Sequence, residues 1–151
     1  MDFAPDDLDI LRKLMTAITV NSTSKGFRQP PPDSGLTQEQ WDSPGMTSVR
    51  AAVFTANQHG EASEFWEAAR KGSLGALCDK SDKMLDMGLD PLTNAEEEIA
   101  DEIIRALDKA EYFGIDPARA VATKHAFNTG RAHRHGGKLL LCKLRTRSSS
   151  P

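Results

Sequence analysis

The sequence is poor in aromatic residues, 6% of 151, and holds only two cysteines, Cys78 and Cys142. These lie far apart with no CxxC pair, which argues against a disulfide framework and a zinc knuckle and leaves two ordinary reduced thiols. No apolar run approaches the roughly 18 residues that span a bilayer, and the acidic N-terminus lacks the basic-then-apolar pattern of a secretory signal. A cytoplasmic protein with no membrane partner is expected. Strand-like alternation of convincing length is also missing; only "KLLLCKL", 138–144, reads as a short strand. Acidic residues are absent from the last stretch, where Pro117 to Pro151 carries eight Lys and Arg and no Asp or Glu. The first 116 residues therefore hold 11 basic and 22 acidic groups, a net −11 hidden inside an overall −3. Such a split suits either a basic tail for nucleic acid or a basic clamp facing an acidic metal site within one protein.

What is present reads as helix. The length suits one domain, and the 38% hydrophobic content gives a modest core that oligomerisation can complete. Pro5 followed by Asp6 and Asp7 suits a helix first turn, and Leu8, Leu11, Leu14, Met15 and Ile18 recur at three- and four-residue steps as far as Asn21. The proline- and glycine-bearing segment 22–46 predicts a long loop, a kind that in small domains is usually functional or mobile. A second helix is expected from Thr47 or Ser48 to Lys71, with Gly72 as its stop and Val49, Ala52, Val53 and Ala56 as its buried stripe. Residues 72–93 form a polar connection with room for a helical turn. Asn94 and Glu97 have capping-box spacing for a third helix reaching Gly114, whose apolar side is Ile99, Ile103, Leu107 and Ala110, widened by Ile104. Asp116 and Pro117 open a fourth, to about Asn128 with Gly130 beyond. The expected fold is all-α, four helices, with residues 1–138 as the domain and 139–151 as a basic, flexible tail.

Carboxylates carry the first chemical signal. Like charges three or four apart on a helix cost a few tenths of a kcal/mol, so each acid can be checked for a basic neighbour. Glu67 has Lys71 and Asp101 has Arg105, each four ahead, whereas Glu61 and Glu64 have only each other and Glu98 faces Asp101 and Glu102. Glu96 and Glu97 suit the positive end of a helix dipole. What remains is ExxE (Glu61, Glu64) on one helix and ExxD (Glu98, Asp101) on the next, with Asp108 further along the same face. Solvated helices often carry ExxE alone. If the two helices pack antiparallel, however, the acids converge, and an all-oxygen set favours Mg²⁺ or Mn²⁺ over zinc. A di-iron bundle needs Glu-x-x-His, which no histidine here satisfies.

The basic half offers a second signal. Lys124, Asn128 and Arg131 fall at i, i+4 and i+7, although Gly130 is a candidate stop before Arg131. "HRHGGK", 133–138, then joins two glycines to Arg134, His135 and Lys138, a run that suits a solvated tail or an anion cradle.

Several stretches together resemble the MazG-like all-α nucleoside triphosphate pyrophosphohydrolases, particularly compact phage and bacterial members. They are "KGF" (25–27), "HGEASEFWEA" (59–68), "EEEIADEIIRALDKA" (96–110), "GID" (114–116) and "KHAFNTGRAHRHGGK" (124–138), in family order over Asn21 to Lys138. The resemblance implies a four-helix module, assembled as a homodimer or homotetramer, that cleaves a nucleoside triphosphate to the monophosphate and pyrophosphate. It implies Glu61, Glu64, Glu98 and Asp101 as Mg²⁺ ligands; the chemistry also asks one carboxylate, Glu64 as the first choice, to orient or deprotonate the attacking water. It places Lys124, Asn128 and Arg131 on phosphates and Asn21, Lys25 and Phe27 near the base or sugar. Asp108, Arg134, His135 and Lys138 complete the expected substrate-side set. Where the family carries an additional acid beside ExxE this chain has Gly60, and the spacer from Glu64 to Glu98 is long. The MazZ phage subgroup makes dGTP a candidate substrate, and a phage protein would work in the host cytoplasm.

Other residues have simpler readings. His59 suits a structural or supporting role, and Trp66 and Trp41 suit the core or a subunit interface, though Trp41 on a loop could cover a base. Phe27 has the same choice, and His125 and His133 stay unassigned. Two further classes remain: a non-catalytic helical protein binding nucleic acid through the acid-free C-terminal third, and a helical oligomerisation module. A pyrophosphohydrolase needs no stable nucleic-acid partner, and sensitivity to salt or to a chelator separates it from a nucleic-acid binder.

Overall fold

The structure, a computed structural model, describes residues 5–130. The proposed boundary at residue 138, the "KLLLCKL" strand, Cys142, His133 and the residues Arg131, Arg134, His135 and Lys138 lie outside that range. Four long helices form the frame: α1 (Pro5–Ser24), α3 (Thr47–Arg70), α5 (Asn94–Tyr112) and α6 (Pro117–Thr129). Two short ones, α2 (Gln38–Asp42) and α4 (Ser81–Asp86), sit in the connections. The described residues contain no strand, only an isolated bridge between Leu77 and Thr93, so the chain is all-α. No helix among them is long and apolar enough to cross a membrane.

Helix α5 is the centre. It packs on α3 and on α1, while α6 rests on α1. As α3 advances, its partners on α5 run backwards: Phe54 meets Tyr112, Gln58 meets Lys109 and Glu61 meets Arg105. The two helices are therefore antiparallel. Gly72 and Gly114, both at positive φ, allow the chain to turn away after α3 and α5. Asp116 caps α6 by accepting from the Arg119 N–H at 3.1 Å, and Arg12 of α1 binds its other carboxylate oxygen at 2.9 Å. The Arg12 guanidinium and the Arg119 N–H together hold the Asp116 carboxyl below its ordinary range.

Three expectations are corrected. The cap of α5 is Thr93 with Glu96, one residue before the Asn94 and Glu97 pair. Asn94 instead donates to the Ser73 carbonyl at 2.8 Å, and Glu97 binds Lys80. The proline-rich segment is not simply a loop, because Thr37 and Gln40 form a reciprocal capping box that starts α2. Finally, the apolar stripes mark the inner faces only in part: Leu107 and Ala110 are buried as expected, the others on α3 and α5 are not. Val49 is 45% exposed, Ala52 and Ala56 face out, and α3 buries Arg50, Phe54 and Glu61 instead. On α5, Ile99 and Ile103 are each 48% exposed and Ile104 is exposed too, while Glu97, Glu98, Leu107, Asp108 and Ala110 point inward. Leu14 of α1 likewise turns outward. Buried charge at these positions is tolerated where a cation from another element meets it.

The apolar core is small: Ile18, Trp41, Phe54, Leu107, Ala110 and Ala118. Phe54 sits 4.9 Å from the Tyr112 ring and 5.9 Å from Phe113. The guanidinium groups of Arg28 and Arg50 lie 5.5 and 5.6 Å from the Tyr112 centroid. Arg50 also donates to the carbonyls of Trp41 and Ser43, which fixes the far end of the proline-rich segment with Trp41 buried. Trp41 is thus a core residue and does not cover a base. Cys78 is buried as a free thiol with its Sγ 3.4 Å from Ser81 Oγ.

Candidate metal centre

The antiparallel pairing of α3 and α5 sets Glu61 and Glu64, one turn apart, against Glu98. One carboxylate oxygen from each lies within 4.8 Å of the other two. Glu61 and Glu98 are buried and Glu64 is exposed, so the group opens to solvent on one side. A cleft of about 380 Å³ adjoins it, lined among others by Glu64, Lys71, Lys80, Glu97 and Glu98.

Three carboxylates this close repel one another, and burial adds to the cost of charging them. Glu98 shows both effects. Burial, then Glu64, Glu97, Glu61 and Asp101, push its carboxyl above the ordinary range. Its Oε2 is also buried without a hydrogen-bond partner among the described residues. Two other buried atoms share that state, Trp41 Nε1 and Arg50 Nε, but both carry N–H groups and neither can ligate a cation. Asp101, one turn beyond Glu98, is not in the closest group, yet its carboxyl is raised by burial and by Glu61, against the opposing effects of Lys80 and Arg105.

The donor set fits a hard divalent cation. It offers carboxylate oxygens from Glu61, Glu64 and Glu98 with Asp101 nearby, and no histidine or cysteine belongs to the group. The buried Glu98 Oε2 is an acceptor without a donor, a position that a cation would satisfy.

Several expected partners are placed elsewhere or otherwise engaged. Asp108 is 3% exposed and its carboxylate binds Arg28 at 2.6 Å. That contact neutralises a charge which the α5 inner face would otherwise bury alone. Lys124 and Asn128 line a separate hollow with Val121 and His125 on α6, away from the cleft lining. The Lys124 ammonium lies 4.9 Å from the Phe127 centroid. Asn21 and Lys25 are exposed near the end of α1, and the Asn21 carbonyl accepts from the Ser24 hydroxyl at 2.8 Å. Phe27 is 58% exposed and does lead to the cluster, because the Arg105 guanidinium stands 5.4 Å from its ring centroid while binding Glu61.

Three charged residues near the cluster escape a reading by helix spacing. Arg105, spaced to pair with Asp101, crosses instead to Glu61 Oε1, with its Nε at 2.8 Å. Lys80 binds Glu97, and that contact raises the lysine's proton affinity. Glu97 itself is buried, although its place in the first turn suited a solvent-facing dipole partner. Only the absence of Lys or Arg one turn from Glu61 hints that its partner comes from another helix. In comparisons with known proteins, no family model, no curated protein and no solved structure matches the chain.

Proposed function

We propose that this chain is a divalent-cation-dependent hydrolase that cleaves a nucleoside triphosphate to the monophosphate and pyrophosphate, with dGTP as a candidate substrate. The observation that carries the reading is the buried, unpartnered Glu98 Oε2 in a carboxylate group shared with Glu61 and Glu64. Glu61, Glu64, Glu98 and Asp101 would hold Mg²⁺ or Mn²⁺, which supplies charge neutralisation for the departing pyrophosphate and a lowered pKa for water. Glu64, the solvent-facing member, orients or deprotonates the attacking water. Phe27 offers an exposed ring for stacking a base.

A homodimer or homotetramer belongs to the same reading. Ile99 and Ile103 are half exposed and Trp66 is 67% exposed, on the two helices that carry the acids. Large apolar groups of this kind favour a subunit interface over water.

The test is to incubate the protein with each of the eight common NTPs and dNTPs plus Mg²⁺ and to identify the phosphate products. Pyrophosphate release that stops with a chelator is expected. Near-native turnover by both Glu64→Gln and Glu98→Gln would overturn the assignment. Salt-sensitive nucleic-acid binding that ignores the chelator, with no cleavage, would support the non-catalytic alternative instead.

A further inference from the structure

Two buried acids of the α5 inner face and one of the α3 inner face meet a cation, but their cations are held very differently. Arg28 is locked: it donates to Asp108 Oδ1 through two nitrogens, and also to Glu111, Thr19 and the Asp108 carbonyl. Lys80 meets Glu97, which lies outside the closest carboxylate group. Among the described residues Arg105 makes one side-chain hydrogen bond, Nε to Glu61 Oε1, and Glu61 is one of the three clustered acids. The rest of its guanidinium faces the Phe27 ring at 5.4 Å. That ring is mostly exposed, so the arginine has a second favourable contact that does not depend on Glu61.

We propose that Arg105 competes with a divalent ion for Glu61 in the carboxylate cluster, is displaced by that ion, and is then held against Phe27 to bind the phosphate oxygens of the substrate. This inference rests on the reading of Glu61, Glu64 and Glu98 as a metal centre. The charge logic is direct. Glu61 is stabilised by one guanidinium, and a divalent ion entering the cluster competes for the same carboxylate. One singly charged hydrogen bond is weak enough to exchange, unlike the multiple contacts that hold Arg28. Once released, a planar guanidinium backed by an aromatic face presents its remaining N–H groups in the fork that suits phosphate. Metal uptake and phosphate binding are thereby coupled through one side chain.

The experiment follows Mn²⁺ binding by electron paramagnetic resonance, without nucleotide, in the full chain and in Arg105→Gln, Arg105→Lys and Glu98→Gln. Losing the competitor tightens Mn²⁺ binding by roughly five-fold in Arg105→Gln, while Arg105→Lys, which keeps the charge, stays near the parent. The Mn²⁺ complex of tripolyphosphate binds metal-loaded Arg105→Gln roughly five-fold more weakly than the parent. In the unmodified chain, the Arg105 Nε–H resonance, assigned by its loss in Arg105→Lys, moves when Mg²⁺ is added. That last measurement decides the matter even where Arg105→Gln does not fold. Unchanged or weaker Mn²⁺ binding by a folded Arg105→Gln, unchanged tripolyphosphate binding, or an unmoved Nε–H signal in a chain that binds Mg²⁺ would overturn the role of Arg105. If the parent binds Mn²⁺ no better than Glu98→Gln, the metal centre itself is refuted and the inference goes with it.

Discussion

Arg28 and Asp108 are joined by two hydrogen bonds to one carboxylate oxygen, at 2.6 and 3.1 Å, with both side chains largely out of water. The pair fastens the segment after α1 to the middle of α5, and Glu111 extends it at 2.6 Å.

Removing the cation from that pair leaves Asp108 buried and uncompensated. Arg28→Met should cost about 3 kcal/mol in urea unfolding, because breaking a buried pair from one side exposes the full desolvation penalty. Glu111→Gln, at a site about a third exposed, should cost less than about 1 kcal/mol. Equal effects of the two substitutions would refute the ranking.

Glu98→Gln should separate stability from metal binding. Replacing a buried, crowded carboxylate by a neutral amide of the same shape raises the thermal midpoint in a chelator, by roughly 1 kcal/mol of stability, while abolishing most divalent-ion binding. A variant that is both less stable and still metal-binding would contradict the site.

The same group fixes a pH dependence. Burial and the neighbouring Glu64, Glu97, Glu61 and Asp101 raise the Glu98 carboxyl, so the folded chain keeps that proton to higher pH than the unfolded chain does. Asp101 behaves likewise, with Lys80 and Arg105 opposing. Their contribution to stability is complete below the unfolded carboxylate range and is lost as pH rises through the raised folded values. The advantage of Glu98→Gln over the parent in a chelator should therefore vanish near about pH 4 and grow toward about pH 7. Thermal melts across that range check it. Mn²⁺ should raise the midpoint of the parent more at about pH 7 than at about pH 5, since protons and metal compete for the same oxygens.

The start of α5 gives a prediction that tells two caps apart. Thr93→Ala should cost about 1 kcal/mol, because its hydroxyl accepts the Glu96 N–H while the Glu96 carboxylate answers the Thr93 N–H. Glu97→Gln should act instead through Lys80, lowering the proton affinity of that lysine. Amide exchange in the first turn of α5 distinguishes the two.

Much of the frame was legible in the sequence because punctuation residues act locally. Gly72, Gly114 and the Asp116–Pro117 pair mark helix ends through backbone conformation alone, and the structure ends α3 and α5 and starts α6 there. The inner faces were legible only in part, through Leu107 and Ala110. Ile99 and Ile103 have the right spacing for a core stripe, yet the face turned to α3 is the one bearing Glu98 and Arg105, since cross-helix ion pairs are decided by tertiary packing. Glu61, Glu64 and Glu98 stand out by the lack of a basic neighbour within a turn on their own helices, and those three converge, whereas Asp101 has Arg105 one turn ahead and lies outside the closest group. The pairing of Asp108 is illegible for the complementary reason: its cation, Arg28, stands 80 residues away and leaves no trace in local spacing.

The proline-rich segment is riveted at both ends, by Arg28 to α5 and by Trp41 with Arg50 to α3, and between these anchors the chain from Gln29 to Gln40 is mostly exposed. New chain ends opened beside Gly35, or a short polar insert placed there, would leave both rivets and the helix frame in place. That stretch is the natural spot for a circular permutant or a fluorescent label that leaves the carboxylate cluster untouched.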